Sequence, residues 1–274
     1  MSRRVDPFPQ QSHPFSPHQP QGHLLPSLPM HRFFLPQDRW TDYNWELPEE
    51  ESRHLAKALR IREGDACIVF DGKGRAAKTK VISINSPNQV ILAHGELKIS
   101  APPISEITLC QAIPKGGNMD LIIQKSVEMG VSHIIPLITE RTIVRLTDKE
   151  ASAKREKWQR NALEACKQCG QNTLPHVASP IRFHDWIQKG FSSSLPLLAS
   201  LAQGACPIRD ILEKARNQHC KQAALLVGPE GDFTESEMKH SIEAGFIPVS
   251  LGDIVLRVET ATFFGMSAIR YALD

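Results

Sequence analysis

The segment Ala223-Ala-Leu-Leu-Val-Gly-Pro-Glu-Gly-Asp-Phe-Thr-Glu-Ser-Glu-Met-Lys-His-Ser-Ile-Glu-Ala-Gly-Phe-Ile-Pro-Val-Ser-Leu251 changes its hydrophobic pattern three times. Residues 223–227 form an apolar run of the kind that becomes a parallel strand buried on both faces. Gly228-Pro-Glu-Gly231 then breaks it. Thr234, with Glu237 three residues on, is a capping box, and Gly245 is a stop signal, so 234–244 reads as a helix. Residues 246–251 return to a strand, and 259–273 form a final helix. The same alternation extends upstream: strands at 107–112, 131–138 and 195–200, helices at 119–129 (stopped by Gly130) and 148–169. In the long helix, Trp158, Leu163 and Cys166 fall on inward positions. Alternation of this kind implies an α/β domain around a mostly parallel sheet.

Ahead of Ser100-Ala-Pro-Pro103, a stiff linker, the pattern differs. Residues 48–60 place Leu55, Ala58 and Leu59 on one helical face. Short runs at 66–70, 76–84 and 90–97 are separated by the turns Asp71-Gly-Lys-Gly74 and Ser86-Pro-Asn88, as in a small β-barrel. The expected division is therefore 30–100 for the barrel and 101–274 for the α/β domain. Residues 1–29 hold seven Pro, four Gln and three His, a composition that cannot repay ordering, and they read as a disordered tail.

Charge is nearly balanced, with 32 Lys plus Arg against 30 Asp plus Glu, so global charge does not announce a nucleic-acid partner. Two local basic concentrations, 53–80 and 141–167, can bind phosphates, while a solvated mixed-charge face is at least an equal reading of either one alone. From them and their surroundings Lys57, Arg60, Lys73, Arg75, Lys115 and Arg141 are the candidate phosphate contacts. No apolar run is long enough for a membrane span. Six cysteines without a signal-peptide core suggest a reducing, cytoplasmic setting. Cys166 and Cys169 form a lone C-x-x-C on a helix, with no second pair, so no metal is expected.

In parallel sheets, ligands bind beyond the carboxyl ends of the strands. Three loops there are unusual. Gly228-Pro-Glu-Gly231 sets a carboxylate between glycines. Leu251-Gly-Asp-Ile-Val-Leu-Arg-Val-Glu-Thr-Ala261 interrupts an apolar stretch with Arg257 and Glu259, which burial would force into an ion pair or onto a ligand. The third loop is around Leu198-Ala-Ser200. Dinucleotide, P-loop, zincin and nucleophile-elbow motifs are absent.

Taken together, His31-Arg-Phe-Phe34, His54-Leu55, Leu59-Arg60, Gly64-Asp65, Asp71-Gly72, Gln111-Ala-Ile-Pro-Lys-Gly116, Gln124-Lys125, Glu140-Arg141, Gly228-Pro-Glu-Gly231 and Leu256-Arg-x-Glu-Thr-Ala261 resemble the bacterial 16S rRNA (uracil-N3) methyltransferases of the RsmE type. The resemblance runs from about Met30 to the end. It implies a PUA-like barrel followed by a SPOUT methyltransferase domain with a trefoil-knotted sheet, a homodimer, and S-adenosylmethionine as cofactor. It maps cofactor contacts to Leu198, Val227, Gly228, Glu230, Gly231, Leu251, Gly252, Leu256 and Arg257. Arg257 would stabilise negative charge on the uracil as N3 loses its proton; Glu230, water or a carboxylate of the second subunit would take that proton. The other readings are a SPOUT enzyme for another RNA position and a non-catalytic RNA-binding assembly factor. Three departures from the family pattern stand out: Asp232 where a second Gly is common, Gln171 and Thr173 where arginines are, and Met129 in place of Leu.

Overall fold

The structure, a computed structural model, describes residues 30–143 and 146–274. The tail assigned to 1–29 lies outside the described residues. The first sheet is built from β1 (Arg32–Phe34), β2 (Trp45–Glu46), β3 (Ala66–Phe70), β4 (Arg75–Ser86), β5 (Gln89–Leu92) and β6 (Glu96–Ile99), with the short helix α1 (Glu49–Arg53) after β2. Their order is β1-β3-β4-β5-β2, with β6 on β4. Register shifts after Val81 and Ile84 bend the twelve-residue β4, as bulges do when a sheet curls into a barrel. Phe33, Trp45, Leu55, Val69 and Leu92 fill the interior. The expected single run over 90–97 is two strands instead. Gly95 breaks it, because the backbone there passes so close to Lys78 that a Cβ would sit 2.4 Å from its carbonyl oxygen. The helix over 48–60 is also shorter: α1 ends at Arg53 and a π-helical turn follows over His54–Ala58.

The second sheet takes β7 (Glu106–Ala112), β8 (His133–Ile138), β9 (His176–Val177), β10 (Ile181–Arg182), β11 (Leu195–Ala199), β12 (Cys206–Pro207), β13 (Gln222–Val227) and β14 (Ile247–Ser250). Its order is β10-β8-β7-β13-β11-β14-β12, with β9 on β8, and every pairing described is parallel. The helices are α2 (Asn118–Glu128), α3 (Asp148–Cys169), α4 (Phe183–Gln188), α5 (Ile208–Asn217), α6 (Glu235–Glu243) and α7 (Val258–Leu273). Strand alternation sorts them into layers. Leu197 and Leu225 join a core with Ile122, Trp158, Leu212 and Met266, on the side of α2, α3, α5 and α7. Leu198 and Leu226 point the other way, toward Phe183, Trp186, Phe233 and Phe246 beside α4 and α6.

One feature departs from ordinary connectivity. β14 lies between β11 and β12, which follow each other in sequence, so the 200–205 connection has to cross it. A later strand placed between two consecutive ones is the arrangement that the trefoil-knotted fold implied by the resemblance requires.

The barrel is fastened to α3 and the segment after it. Asn172 accepts from the Arg32 guanidinium, donates to Ser100 Oγ at 2.8 Å, and takes the Gly74 N–H on its carbonyl at 3.0 Å. Lys167 pairs with Glu51, both side chains about nine-tenths buried. Nearby, burial pushes the Cys166 thiol up to about 12, while Cys169 is exposed. No helix among the described residues is long and apolar enough to cross a membrane.

Candidate cofactor and substrate site

The carboxyl ends of β13, β11 and β14 lie side by side, and three loops leave them. Leu198 sits opposite both Leu226 and Pro248, and Ser200 N–H reaches Val249 O at 3.0 Å. The loops enclose a cavity of about 430 Å³, within the range that holds a small cofactor. Val227, Leu251 and Leu256 give it apolar walls, Gly228 and Gly252 bring backbone to its surface, and Ser200, Asn118, Glu230, Asp232, Arg257 and Glu259 add polar groups.

The loop after β13 is pinned from elsewhere in the chain. Glu230 Oε1 accepts the Lys115 N–H at 2.9 Å, tying the loop after β13 to the one after β7. Arg141 donates to the carbonyls of Gly231 and Phe233. Buried Glu237 accepts from Glu140 N–H with one oxygen and from Thr234 N–H with the other, both at 2.9 Å. Beneath the cavity, Thr262 of α7 donates to Gln111 of β7 at 2.6 Å, with both side chains fully buried. Apart from the one within the Thr234 capping box, these bonds join residues ninety or more apart in sequence. A site assembled this way is held without a ligand.

Most of the mapped cofactor residues meet here: Val227, Gly228, Glu230, Leu251, Gly252, Leu256 and Arg257 all line the cavity. Leu198 does not. Its side chain is wholly buried on the α4 side of the sheet, and the cavity begins one residue later, at Ala199, Ser200 and Leu201. Gly231 also lies outside the lining, its carbonyl engaged by Arg141. The burial expected of Arg257 is corrected: the residue is exposed, and its guanidinium makes no hydrogen bond or ion pair among the described residues, with Glu259 or any other group. Ile254 and Val255, apolar in sequence, are 78% and 73% exposed. Nothing within the described chain covers this loop.

The basic candidates divide. Lys57, Arg60 and Lys115 are exposed, and Lys73 donates to Gln37. Arg75 is committed to the protein: it pairs with buried Asp71 at 2.7 Å and lies over the Trp40 ring. Arg141 is committed too, to the carbonyls named above. Sequence reasoning placed Ser200 in the third candidate loop without assigning it a contact, and missed Leu201, Asn118 and Asp232 as lining residues. Only Ser200 carried a signal, as the first polar residue after a buried strand.

Comparison with known proteins follows the same division. A model described as an RNA methyltransferase domain matches residues 100–270, and one described as an RNA methyltransferase PUA domain matches 47–93. The chain is 32% identical to a Synechocystis protein named ribosomal RNA small subunit methyltransferase E, over 83% of this chain and 73% of that one. A Bacillus subtilis protein of the same name is 30% identical, over 82% and 89%. The crystal structure of a ribosomal RNA small subunit methyltransferase E from Neisseria gonorrhoeae, bound to S-adenosyl methionine, superposes with a TM-score of 0.78 at 34% identity, covering 88% of this chain and 97% of that one.

Proposed function

The chain belongs to the ribosomal RNA small subunit methyltransferase E family, and we propose that it methylates N3 of one uridine in 16S rRNA with S-adenosylmethionine as donor. When bound, S-adenosylmethionine supplies a methyl group made electrophilic by its sulfonium. The cavity beyond β13, β11 and β14 suits such a group in size, in its apolar walls and in its close backbone approach at Gly228 and Gly252. Leu198 and Gly231 act from behind, by holding the strand and loop that form the wall.

The observation that carries the reading is Arg257. It occupies the N-cap of α7, makes no side-chain cap, and has no partner among the described residues. A cation at a helix N-terminus is unfavourable by about 0.3–1 kcal/mol, so its position does not serve the helix. It does serve an anion in the cavity. Uracil N3 must lose a proton to attack, and the charge that develops spreads onto its carbonyl oxygens. A guanidinium already in place stabilises that charge without reorganisation. Glu230 is held through one oxygen by Lys115 N–H, which leaves the other to receive the N3 proton directly or through water. No covalent nucleophile is needed, so positioning and electrostatics account for the rate.

Lys57, Arg60, Lys73 and Lys115 would meet phosphates, while Arg75 and Arg141 would contribute by holding the surfaces that carry Lys73 and the cofactor loop. The exposed Ile254 and Val255 at the cavity mouth support a homodimer in which a second subunit covers them. The setting is cytoplasmic, with the small ribosomal subunit or its precursor as substrate. Mass spectrometry of 16S rRNA from strains with and without the gene tests the proposal. A single 3-methyluridine should disappear on deletion and return with the wild-type gene. An unchanged modification profile would refute it. A non-catalytic assembly factor would also show no saturable binding of S-adenosylmethionine by calorimetry.

A further inference from the structure

Asp232 lines the same cavity just past the Gly228-Pro-Glu-Gly231 turn. Its φ of 60° lies in the left-handed region, where a side chain is disfavoured and glycine is not. Its N–H closes the turn on Pro229 O at 2.9 Å, and its Oδ1 accepts from Phe233 N–H at 2.8 Å. The same oxygen stands 3.2 Å from where a Cβ on Gly228 would be, so the carboxylate lies against the cavity floor. Among the described residues no cation pairs with it. Arg141 passes it by, bonding to the carbonyls on either side. The lining as a whole holds Glu230, Asp232 and Glu259 against Arg257 alone.

A glycine would make this turn without strain. What aspartate adds is a half-buried, unneutralised negative charge in the cavity wall. We propose that Asp232 is the charge-selecting residue of the pocket: its carboxylate favours the cationic methyl donor over the product that has lost that charge. The inference rests on the cavity being the S-adenosylmethionine site. In the transfer, the sulfur–methyl bond breaks as the N3–methyl bond forms, the N3 proton leaves to a base, and the sulfonium becomes a neutral thioether. S-adenosylhomocysteine therefore carries one positive charge fewer than the donor at the same place. A carboxylate in the wall of that pocket binds the donor more tightly and releases the product more readily. One unit-charge interaction over several ångströms, at the dielectric of a partly wet pocket, amounts to about tenfold in affinity.

Asparagine keeps the oxygen that accepts from Phe233 and removes only the charge; glycine removes both and relieves the backbone. Calorimetric titration of wild type, Asp232→Asn and Asp232→Gly with S-adenosylmethionine and with S-adenosylhomocysteine reads the difference. In both variants donor affinity should fall about tenfold while product affinity stays within about twofold, and Asp232→Gly should melt no lower than wild type. If the donor-to-product ratio of either folded variant equals that of a wild type that binds both, Asp232 is a turn residue and the proposal is wrong. If wild type binds neither compound, the cofactor assignment fails and takes this proposal with it.

Discussion

Arg257→Ala separates catalysis from folding, because the structure gives the side chain nothing to hold. The guanidinium has no hydrogen bond and no ion pair among the described residues, and it is exposed. Removing an exposed, unpartnered side chain changes stability by about 0.5 kcal/mol or less. Here the sign should favour the variant slightly, since a positive charge leaves the positive end of α7. Cofactor affinity should stay within about tenfold, or 1.4 kcal/mol, because the apolar walls and backbone groups remain. Turnover should fall about a hundredfold to a thousandfold, the loss typical when one preorganised donor to a developing oxyanion is removed, or about 2.7–4 kcal/mol. Single-turnover methylation of 30S subunits with radiolabelled donor, beside thermal melting and calorimetry on the same preparation, reads all three quantities. Arg257→Lys should recover only part of the rate, because an ammonium lacks the planar fork. A variant that melts several degrees lower, or that turns over at the wild-type rate, would refute the reasoning.

Three further outcomes follow from the packing. Lys167→Met strands Glu51, whose Oε2 already lacks a partner in the interior; breaking such a pair costs about 3–5 kcal/mol in denaturant unfolding, and adding Glu51→Gln should return part of it, which a solvent-exposed pair would not show. Gly265→Ala puts a methyl 2.7 Å from Leu225 Cδ2 in a fully buried core, so an overpacking cost of about 1–3 kcal/mol should exceed the helix gain of about 1 kcal/mol; a stabilised variant would show that α7 is not pressed on β13. Thr147→Ala removes the capping box of α3, at about 1 kcal/mol. The Thr147 backbone N–H and hydroxyl both hold the Glu150 carboxyl below its ordinary range; alanine keeps the first and loses the second, whose contribution is complete at neutral pH and lost as pH falls through that lowered value. The gap in melting temperature between wild type and variant should therefore narrow from pH 7 to pH 3, and a constant gap would count against the box.

The layers and most elements were legible because they depend on local pattern. The long helix over 148–169 and the capping box at Thr234 need only neighbouring residues. Helix α5 was legible too and went unread: Ile208, Leu212 and Ala215 repeat at helical spacing and are buried. Strands β9, β10 and β12 have two residues each, too few for any period to register. The insertion of β14 between β11 and β12 leaves no local trace, and only the family resemblance supplied it.

The site shows why a segment's own composition cannot fix its burial. Residues 254–258 are apolar around Arg257, and such a run reads as interior, with a charge in need of a partner. In the structure the run spans a loop whose outer side has nothing over it, so Ile254 and Val255 face out and Arg257 is free. Burial is decided by what covers a segment, and no described residue covers this one. Arg141 and Arg75, which read as candidate phosphate contacts, are bonded to Gly231, Phe233 and Asp71. In each case the partners of a charge are set by long-range geometry. A guanidinium offered to substrate must first be refused every partner in its own chain, and of the three arginines Arg257 alone meets that condition.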